Sequence, residues 1–274
     1  MQLLIAVLLA VIQGLTEFVP ISSSGHLAVT QLLLGFEEPP VAFDVVLHLG
    51  TLIAVLIYYR TDVLEMIRSL GKLSTVFRPS WDTENPQKLL LLLIIATIPT
   101  AVIGFLLKSQ VESAFSSLNH IAWEFVIGGA MMILTLFLKK CDRGLEEMKV
   151  RDALCIGFFQ GLALFPAISR SGSTITAALF LGLKPKLAAR FSFLLSIPAI
   201  LGAVILEIPD IEKAINSTQD LFLYLLSGTI AGVIGYFTIR PLIRIITSAR
   251  FYWFGIYCVV AGIALLAYIW VKTT

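Results

Sequence analysis

The segment ALFPAISRSGST, residues 163–174, places an arginine among hydroxyl residues within an apolar stretch of chain. The guanidinium of Arg170 offers five N–H donors in a planar fork that matches phosphate oxygens. A charged residue at the centre of a membrane helix costs about 2.5–3.5 kcal/mol on insertion scales, so its presence there indicates function. We expect Arg170 to hold an anion, with phosphate the best fit. A structural arginine that binds the carbonyl groups of a broken helix is the alternative.

Hydroxyl residues surround Arg170, and a second run of serines lies near the N-terminus. A serine before a helix caps its free amide groups, and two helix N-termini aimed at one point form an anion site. We expect Ser22 or Ser24 to cap one helix, and Ser171 or Ser173 to cap the other. The candidate substrate-binding residues are Gln13, Ser22, Ser24, Ser169, Ser171, Gly172, Ser173 and Thr174.

The N-terminal segment QGLTEFVPISSSGH adds the groups that acid–base or nucleophilic chemistry requires. Glu17 lies one helical turn after Gln13, on the same face. Because a carboxylate repels phosphate, either a divalent cation bridges the two or the carboxylate acts as a base. Ser23 is a candidate nucleophile, and His26 is a candidate acid, base or nucleophile. The alternatives are a solvated acid at a helix end and a histidine whose hydrogen bonds are structural.

The two polar segments are similar to each other. QGLTEFVPISSSG (13–25) aligns without a gap on QGLALFPAISRSG (160–172), and eight of thirteen positions are identical. Neither segment holds a complete site, because the first carries Glu17 and His26 while the second carries Arg170. Broken helices in inverted repeats meet near the membrane midplane, where ligands bind. We therefore expect one site built from both segments, with Glu17, Ser23, His26 and Arg170 as its catalytic residues.

The composition is that of a polytopic membrane protein. Hydrophobic residues make up 58% of the 274 positions and charged residues only 14%, against about a quarter in soluble domains. We predict an all-α integral membrane protein with two re-entrant helix–loop–helix hairpins, at 2–35 and 152–183, where Gly, Pro and Ser interrupt the apolar pattern. The six predicted transmembrane helices are 41–60, 89–107, 121–138, 191–207, 221–239 and 253–271. The fourth is expected to start earlier, near Pro185.

The spans predict a single membrane domain over 1–274, with an inverted-topology repeat. Its halves cover about 1–138 and 150–274, joined by a cytoplasmic loop at 139–149. Sixteen of the 20 Lys and Arg residues then fall on one side, which the positive-inside rule assigns to the cytoplasm. Both termini and the mouth of the site are expected outside. Reading each broken region as two full spans gives the same parity, so charge does not decide between these topologies.

A few further polar residues and the cysteines lie outside the two segments. Asp44 and His48 share a helix face, where support of the site and interfacial placement are both open. His120 and Glu124 are expected at the membrane interface. The three cysteines, predicted to be free thiols, are Cys141, Cys155 and Cys258.

The two segments resemble the motifs of the bacterial undecaprenyl pyrophosphate phosphatases, also called bacitracin-resistance proteins. QGLTEFVPISSSGH is similar to the family's (Glu/Gln)-x-x-x-Glu and Pro-x-Ser-Ser-x-Gly-His region, and PAISRSGST to its Pro-Gly-x-Ser-Arg-Ser-Gly-x-Thr motif. The similarity extends along the chain. Ala167 stands where the family usually has Gly, and Gln13 where many members have Glu. Glu17 is then the only acid of the pair, which puts a two-carboxylate metal site in doubt.

The resemblance implies an enzyme of the bacterial inner membrane that removes one phosphate from undecaprenyl pyrophosphate. Undecaprenyl phosphate is thereby recycled for peptidoglycan synthesis. The resemblance also implies a divalent cation, Mg²⁺ or Ca²⁺, with Glu17 and Gln13 as metal ligands. Its partners would be the polyprenyl pyrophosphate and membrane lipids, without nucleic acid, and a homodimer stays open. The resemblance carries over to Gln13, Glu17, Ser23, His26, Ser169, Arg170, Ser171 and Thr174. The rival function is a polyprenyl-phosphate transporter or flippase that uses the same phosphate site.

Overall fold

The computed structural model describes residues 3–36, 40–70, 85–138, 140–248 and 250–273. Its secondary structure within these ranges is helical, apart from a β-bridge between Arg143 and Leu183. The α-helices are α1 (Leu3–Thr16), α2 (Ser23–Leu33), α3 (Val41–Tyr58), α4 (Arg60–Leu70), α5 (Pro86–Leu106), α6 (Lys108–Phe115), α7 (Leu118–Ile133), α8 (Val150–Leu162), α9 (Arg170–Phe180), α10 (Pro185–Ala214), α11 (Thr218–Thr247) and α12 (Tyr252–Thr273). Two short 3₁₀ helices cover Leu134–Phe137 and Leu145–Glu147.

Six helical segments of the described chain are long and apolar enough to cross a membrane: α3, α5, α7 with the 3₁₀ helix that follows it, α10, α11 and α12. The prediction of an all-α, multi-pass membrane protein is confirmed. The fourth predicted span begins at Pro185, as expected, and both α10 and α11 reach 30 residues. Both helices thus continue past the predicted span ends at 207 and 239.

Each of the two polar segments forms a break between two short helices. The first break separates α1 from α2, and the second, after Leu162, separates α8 from α9. These helices contain 14, 11, 13 and 11 residues. At 1.5 Å per residue even the longest reaches only about 21 Å, short of the ~30 Å hydrocarbon core. A proline in each break, Pro20 or Pro166, lacks the N–H that helix continuation requires.

Small residues bring the spanning helices close together. Gly50 of α3 packs on the backbone of Gly228 in α11, and Gly157 of α8 packs on the carbonyl of Ala96 in α5. A Cβ atom at either glycine would overlap with that neighbouring backbone. Small residues allow this approach in membranes, where packing rather than water exclusion holds helices together. The short helices are therefore seated tightly against the long ones, with α8 on α5 and α1 on α11.

The segment after α7 is joined to the turn between α9 and α10. The Arg143 N–H donates to Gly182 O at 3.0 Å, and the Lys184 N–H donates to Arg143 O at 3.0 Å. The Arg143 guanidinium also donates to Asp152 of α8 at 2.7 Å. The predicted linker 139–149 thus contacts both helices of the second broken region, while Lys139 itself lies outside the described residues.

Candidate active site

The carboxylate of Glu17 lies at the centre of a buried polar cluster. The Gln13 amide donates to Glu17 Oε2 at 3.0 Å, and the Ser23 hydroxyl donates to the same oxygen at 2.6 Å. His48 Nε2 lies 3.4 Å from that oxygen. The other oxygen, Oε1, accepts a hydrogen bond from Arg170 Nη2. Four helices, α1, α2, α3 and α9, thus present side chains to one carboxylate.

The backbones of the two breaks also touch. The Ser22 hydroxyl donates to the carbonyl of Pro166 and accepts a hydrogen bond from the Gly25 N–H at 3.2 Å. Among the described non-glycine residues only Ser22 has a positive φ, at 64°. A Cβ atom at Gly25 would lie 3.0 Å from Ala167, so a larger residue would push the breaks apart. The strained conformation of Ser22 is held in place from both sides.

The serine caps agree only in part with the sequence analysis. Ser22 caps α2, one of the two predicted choices. The cap of α9 is Ser169, whose hydroxyl accepts from the Gly172 N–H at 3.1 Å, so the choice of Ser171 or Ser173 was wrong. The helix begins at Arg170, whereas a cap at Ser171 or Ser173 would start it at residue 172 or 174. Arg170 is therefore in the first turn of a helix, where free amides and the positive dipole end favour an anion.

The remaining predicted hydroxyls have different surroundings. Thr174 is fully buried and pairs with the hydroxyl of Ser192 in α10 at 2.6 Å. It also donates to the backbone carbonyl of Arg170 at 2.9 Å, which helps to fix the backbone of the arginine. Ser171 lies 3.4 Å from Ser169 between hydroxyl oxygens, and Ser24 is half-buried on α2.

His26 lies beside this cluster rather than in it. Its Nδ1 is 2.7 Å from the carbonyl of Ser22, and its Nε2 is 2.7 Å from the hydroxyl of Tyr257 in α12. The imidazole stacks on the Tyr257 ring, with 5.8 Å between centroids, and meets Phe125 edge-on. Tyr257 was missed by sequence reasoning, because it lies 231 positions from His26 in an ordinary apolar helix.

The open question about Asp44 and His48 is answered in favour of the site. His48 Nδ1 lies 2.7 Å from the backbone carbonyl of Asp44, which points the other ring nitrogen at Glu17. The Asp44 side chain accepts from the Gln31 amide at 2.7 Å. The four-residue spacing of Asp44 and His48 was the signal that they share one helix face.

Glu124, which was expected at the membrane interface, is enclosed by the protein. Its side chain is buried in α7, and its Oε2 accepts a hydrogen bond of 2.8 Å from the Ala167 N–H in the second break. A backbone amide inside a membrane protein requires such a partner, because no water is available there. His120, one turn earlier, is exposed. Glu124 therefore holds the loop that leads into Arg170.

Two polar atoms of the cluster have no hydrogen-bond partner within the described residues. They are Arg170 Nη1, a donor, and Gln13 Oε1, an acceptor, and both are buried. The unused guanidinium donor suits a phosphate oxygen, and the unused amide oxygen suits a hard cation. No group of three or more His, Cys, Asp or Glu side chains suited to a metal occurs in the described ranges. Any cation here would have Glu17 as its only carboxylate ligand from the cluster.

The fold and the cluster define a multi-pass α-helical membrane protein with an arginine, a carboxylate and hydroxyls gathered from two broken helices. Residues 6–264 match the family described as bacitracin resistance protein BacA, and the chain belongs to that family.

Relatives with curated names resemble the chain over nearly its whole length. The undecaprenyl-diphosphatase of Desulfosudis oleivorans is 45% identical, with 93% of this chain and 94% of that protein covered. The undecaprenyl-diphosphatase of Desulfatibacillum aliphaticivorans is 40% identical, with 97% and 98% covered. The undecaprenyl-diphosphatase of Corynebacterium efficiens is 38% identical, with 96% and 89% covered.

Proposed function

We propose that the protein hydrolyses undecaprenyl pyrophosphate to undecaprenyl phosphate and inorganic phosphate, which recycles the lipid carrier for cell-wall synthesis. The observation that carries this proposal is the contact between Arg170 of one break and Glu17 of the other. It places a phosphate-binding cation beside a carboxylate that already holds a hydroxyl group. The names of the relatives at 38–45% identity support the same activity.

Arg170 and the N-terminus of α9 bind the pyrophosphate in this proposal. The free Nη1 and the first-turn amides offer donors to the phosphate oxygens. These donors also stabilise the negative charge that is redistributed as the phosphorus–oxygen bond breaks. The bond to Glu17 fixes the guanidinium plane before substrate arrives, so little reorganisation is required when the phosphate binds.

Ser23 is the nucleophile that the geometry favours. Its hydroxyl proton points at Glu17 Oε2 over 2.6 Å, so the carboxylate accepts that proton as the serine oxygen attacks the terminal phosphorus. The bond to the bridging oxygen breaks, and undecaprenyl phosphate leaves. Water then hydrolyses the phosphoserine to inorganic phosphate. Direct attack by a water in place of Ser23 uses the same base, whereas attack by His26 would first require its Nε2 to leave Tyr257.

A divalent cation, Mg²⁺ or Ca²⁺, fits the oxygen donors present. Mg²⁺ is commonly held by one or two carboxylates together with substrate phosphates and water. The carboxylate of Glu17 and the unpartnered Oε1 of Gln13 would hold it here. When bound, the cation neutralises phosphate charge next to Glu17. The helix α1 and the first break position the Glu17 carboxylate and Gln13 Oε1 so that both can bind the cation.

The proposed topology has two re-entrant hairpins in an inverted repeat, as in many membrane transporters. A repeated contact supports it, because Gln13 donates to Thr51 at 3.5 Å and the equivalent Gln160 donates to Thr100 at 3.1 Å. The shortness of the helices around each break is a further support. The basic residues favour an orientation with both termini and the mouth of the site outside, and membership of the family favours the bacterial inner membrane.

The test is phosphate release from undecaprenyl pyrophosphate by the purified protein in detergent, with Mg²⁺ or Ca²⁺ and with EDTA. We expect release that depends on the cation. A folded protein that releases no phosphate with either cation would overturn the proposal. Transport alone is not favoured, since a phosphate carrier requires the arginine but not a carboxylate bonded to a serine.

A further inference from the structure

Tyr257 makes a hydrogen bond to His26 that none of the catalytic roles above requires. His26 Nδ1 faces the Ser22 carbonyl at 2.7 Å, and a carbonyl oxygen accepts hydrogen bonds but does not donate them. Nδ1 therefore carries the ring proton. In the neutral ring, Nε2 then has a free lone pair, and the Tyr257 hydroxyl 2.7 Å away must be the donor to it.

The aromatic contacts hold the ring as firmly as the hydrogen bonds do. The planes of His26 and Tyr257 differ by only 11°, while Phe125 meets the imidazole at 82°. The Ser22 carbonyl is itself held, because the side chain of Ser22 binds Pro166 of the other break. The orientation of the imidazole thus depends on the first break, the second break and α12 together.

His26 lies close to the proposed nucleophile, so the orientation of its ring affects the reaction. His26 lies three residues after Ser23 on α2, so both residues occupy the same end of that helix. A base or proton shuttle beside the phosphate requires an unprotonated nitrogen turned in a defined direction. The Ser22 carbonyl keeps the proton on Nδ1, and the Tyr257 hydroxyl then donates to the unprotonated Nε2 and fixes its direction.

We propose that Tyr257 is a positioning residue for the phosphatase reaction: it holds the unprotonated Nε2 of His26 in a fixed direction beside the cluster until that nitrogen takes up a proton. The inference rests on the proposed function, since a positioned base requires a reaction to serve. Tyr257 is exposed on its α12 face, so its hydroxyl is free to move from His26 to an incoming phosphate oxygen as Nε2 takes up a proton.

The test uses the small number of histidines in the chain, three in all. The full-length protein is labelled with ¹⁵N-histidine in detergent, and the His26 signals are assigned by their loss in His26→Asn. We expect the Nδ1–H tautomer in the wild-type protein, with an Nε2 signal typical of an accepted hydrogen bond. In Tyr257→Phe, which keeps the stacked ring, that signal should shift to the position of an unbonded lone pair. The opposite tautomer in the wild type, or an unchanged signal in the variant, would overturn the proposal.

Phosphate release is measured on the same samples. Tyr257→Phe should lower kcat about fivefold to tenfold, as expected for one lost hydrogen bond, with little change in KM. Tyr268→Phe, on the lipid-exposed end of α12, is the matched control and should keep the wild-type kcat and spectrum. A shifted Nε2 signal with an unchanged kcat would show that the reaction does not use this orientation. A wild-type protein without phosphatase activity would instead sink the proposed function, while the nitrogen spectra would still report on the hydrogen bond.

Discussion

Arg170 contacts the carboxylate of Glu17 across 153 positions of the chain, and the contact joins the two similar but non-identical breaks. Each break alone lacks half of the chemistry, since one has the acid and the serine and the other has the fixed cation. The consequence is a site that depends on the contact between the two breaks, made by Glu17 with Arg170 and by Ser22 with Pro166.

Replacement of Ser23 by alanine tests the nucleophile. We expect Ser23→Ala to lower kcat by about 10²–10⁴, because the group that gives its proton to Glu17 is lost. The assay is single-turnover phosphate release. Ser196→Ala is the control, since Ser196 is also buried but donates only to a carbonyl of its own helix, and it should keep wild-type kcat. Equal activity of Ser23→Ala and wild type would leave water as the nucleophile.

Replacement of Gln13 by glutamate tests the cation site. A second carboxylate beside Glu17 repels the first unless a cation lies between them. We therefore expect Gln13→Glu to reach half-maximal phosphate release at an Mg²⁺ concentration about tenfold lower, since added ligand charge raises cation affinity. Gln160→Glu, at the equivalent position of the other break, should leave the Mg²⁺ dependence as it is. The same Mg²⁺ dependence in Gln13→Glu and wild type would argue against a cation at Glu17.

Replacement of Glu124 tests the loop that carries Arg170. Glu124→Ala leaves the buried Ala167 N–H without an acceptor, which should cost about 1–3 kcal/mol of stability and reduce kcat/KM. Glu124→Gln keeps an oxygen at that place and should restore most of both quantities. Thermal unfolding in detergent and phosphate release report the two effects. A fully active, fully stable Glu124→Ala would mean that the loop holds its position without this bond.

Replacement of Gly157 tests the close packing of α8 on α5. A methyl group there overlaps with the carbonyl of Ala96, so Gly157→Ala should lower stability by about 1–3 kcal/mol. Gly202→Ala is the control in another helix, because no atom lies within 4 Å of the added Cβ. That control should be neutral or slightly stabilising in a thermal melt. An unchanged melting temperature of Gly157→Ala would show that the two helices readily move apart.

Much of this arrangement was predictable from patterns local in sequence. Apolar run length identified the six spans, and the polar interruptions identified the breaks. The similarity of the two breaks, combined with an unpaired charge in each, predicted that Glu17 and Arg170 belong to one site. The four-residue spacing of Asp44 and His48 also indicated that they share one helix face. It did not show that this face lies towards Glu17.

Sequence reasoning missed Tyr257 and assigned other roles to Glu124 and Ser169. Glu124 looks like an interfacial acid because it follows the polar start of α7, yet its partner is a backbone amide 43 positions away. Tyr257 resembles any aromatic residue of a spanning helix until α12 lies beside α2. Ser169 is the cap because α9 starts at Arg170, two residues before the earliest start that the predicted caps implied. A single sequence contains no signal for these contacts.

The most direct test of the composite site is a double-mutant cycle between its two halves. Phosphate release is measured under kcat/KM conditions for wild type, Glu17→Gln, Arg170→Gln and the double variant, each checked for an unchanged melting profile. If the two side chains act as a unit, each single variant loses about 10²–10³-fold, and the double variant is only slightly slower than the slower single. Losses that multiply in the double variant would show that Glu17 and Arg170 act independently, which would contradict a single site shared by the two breaks.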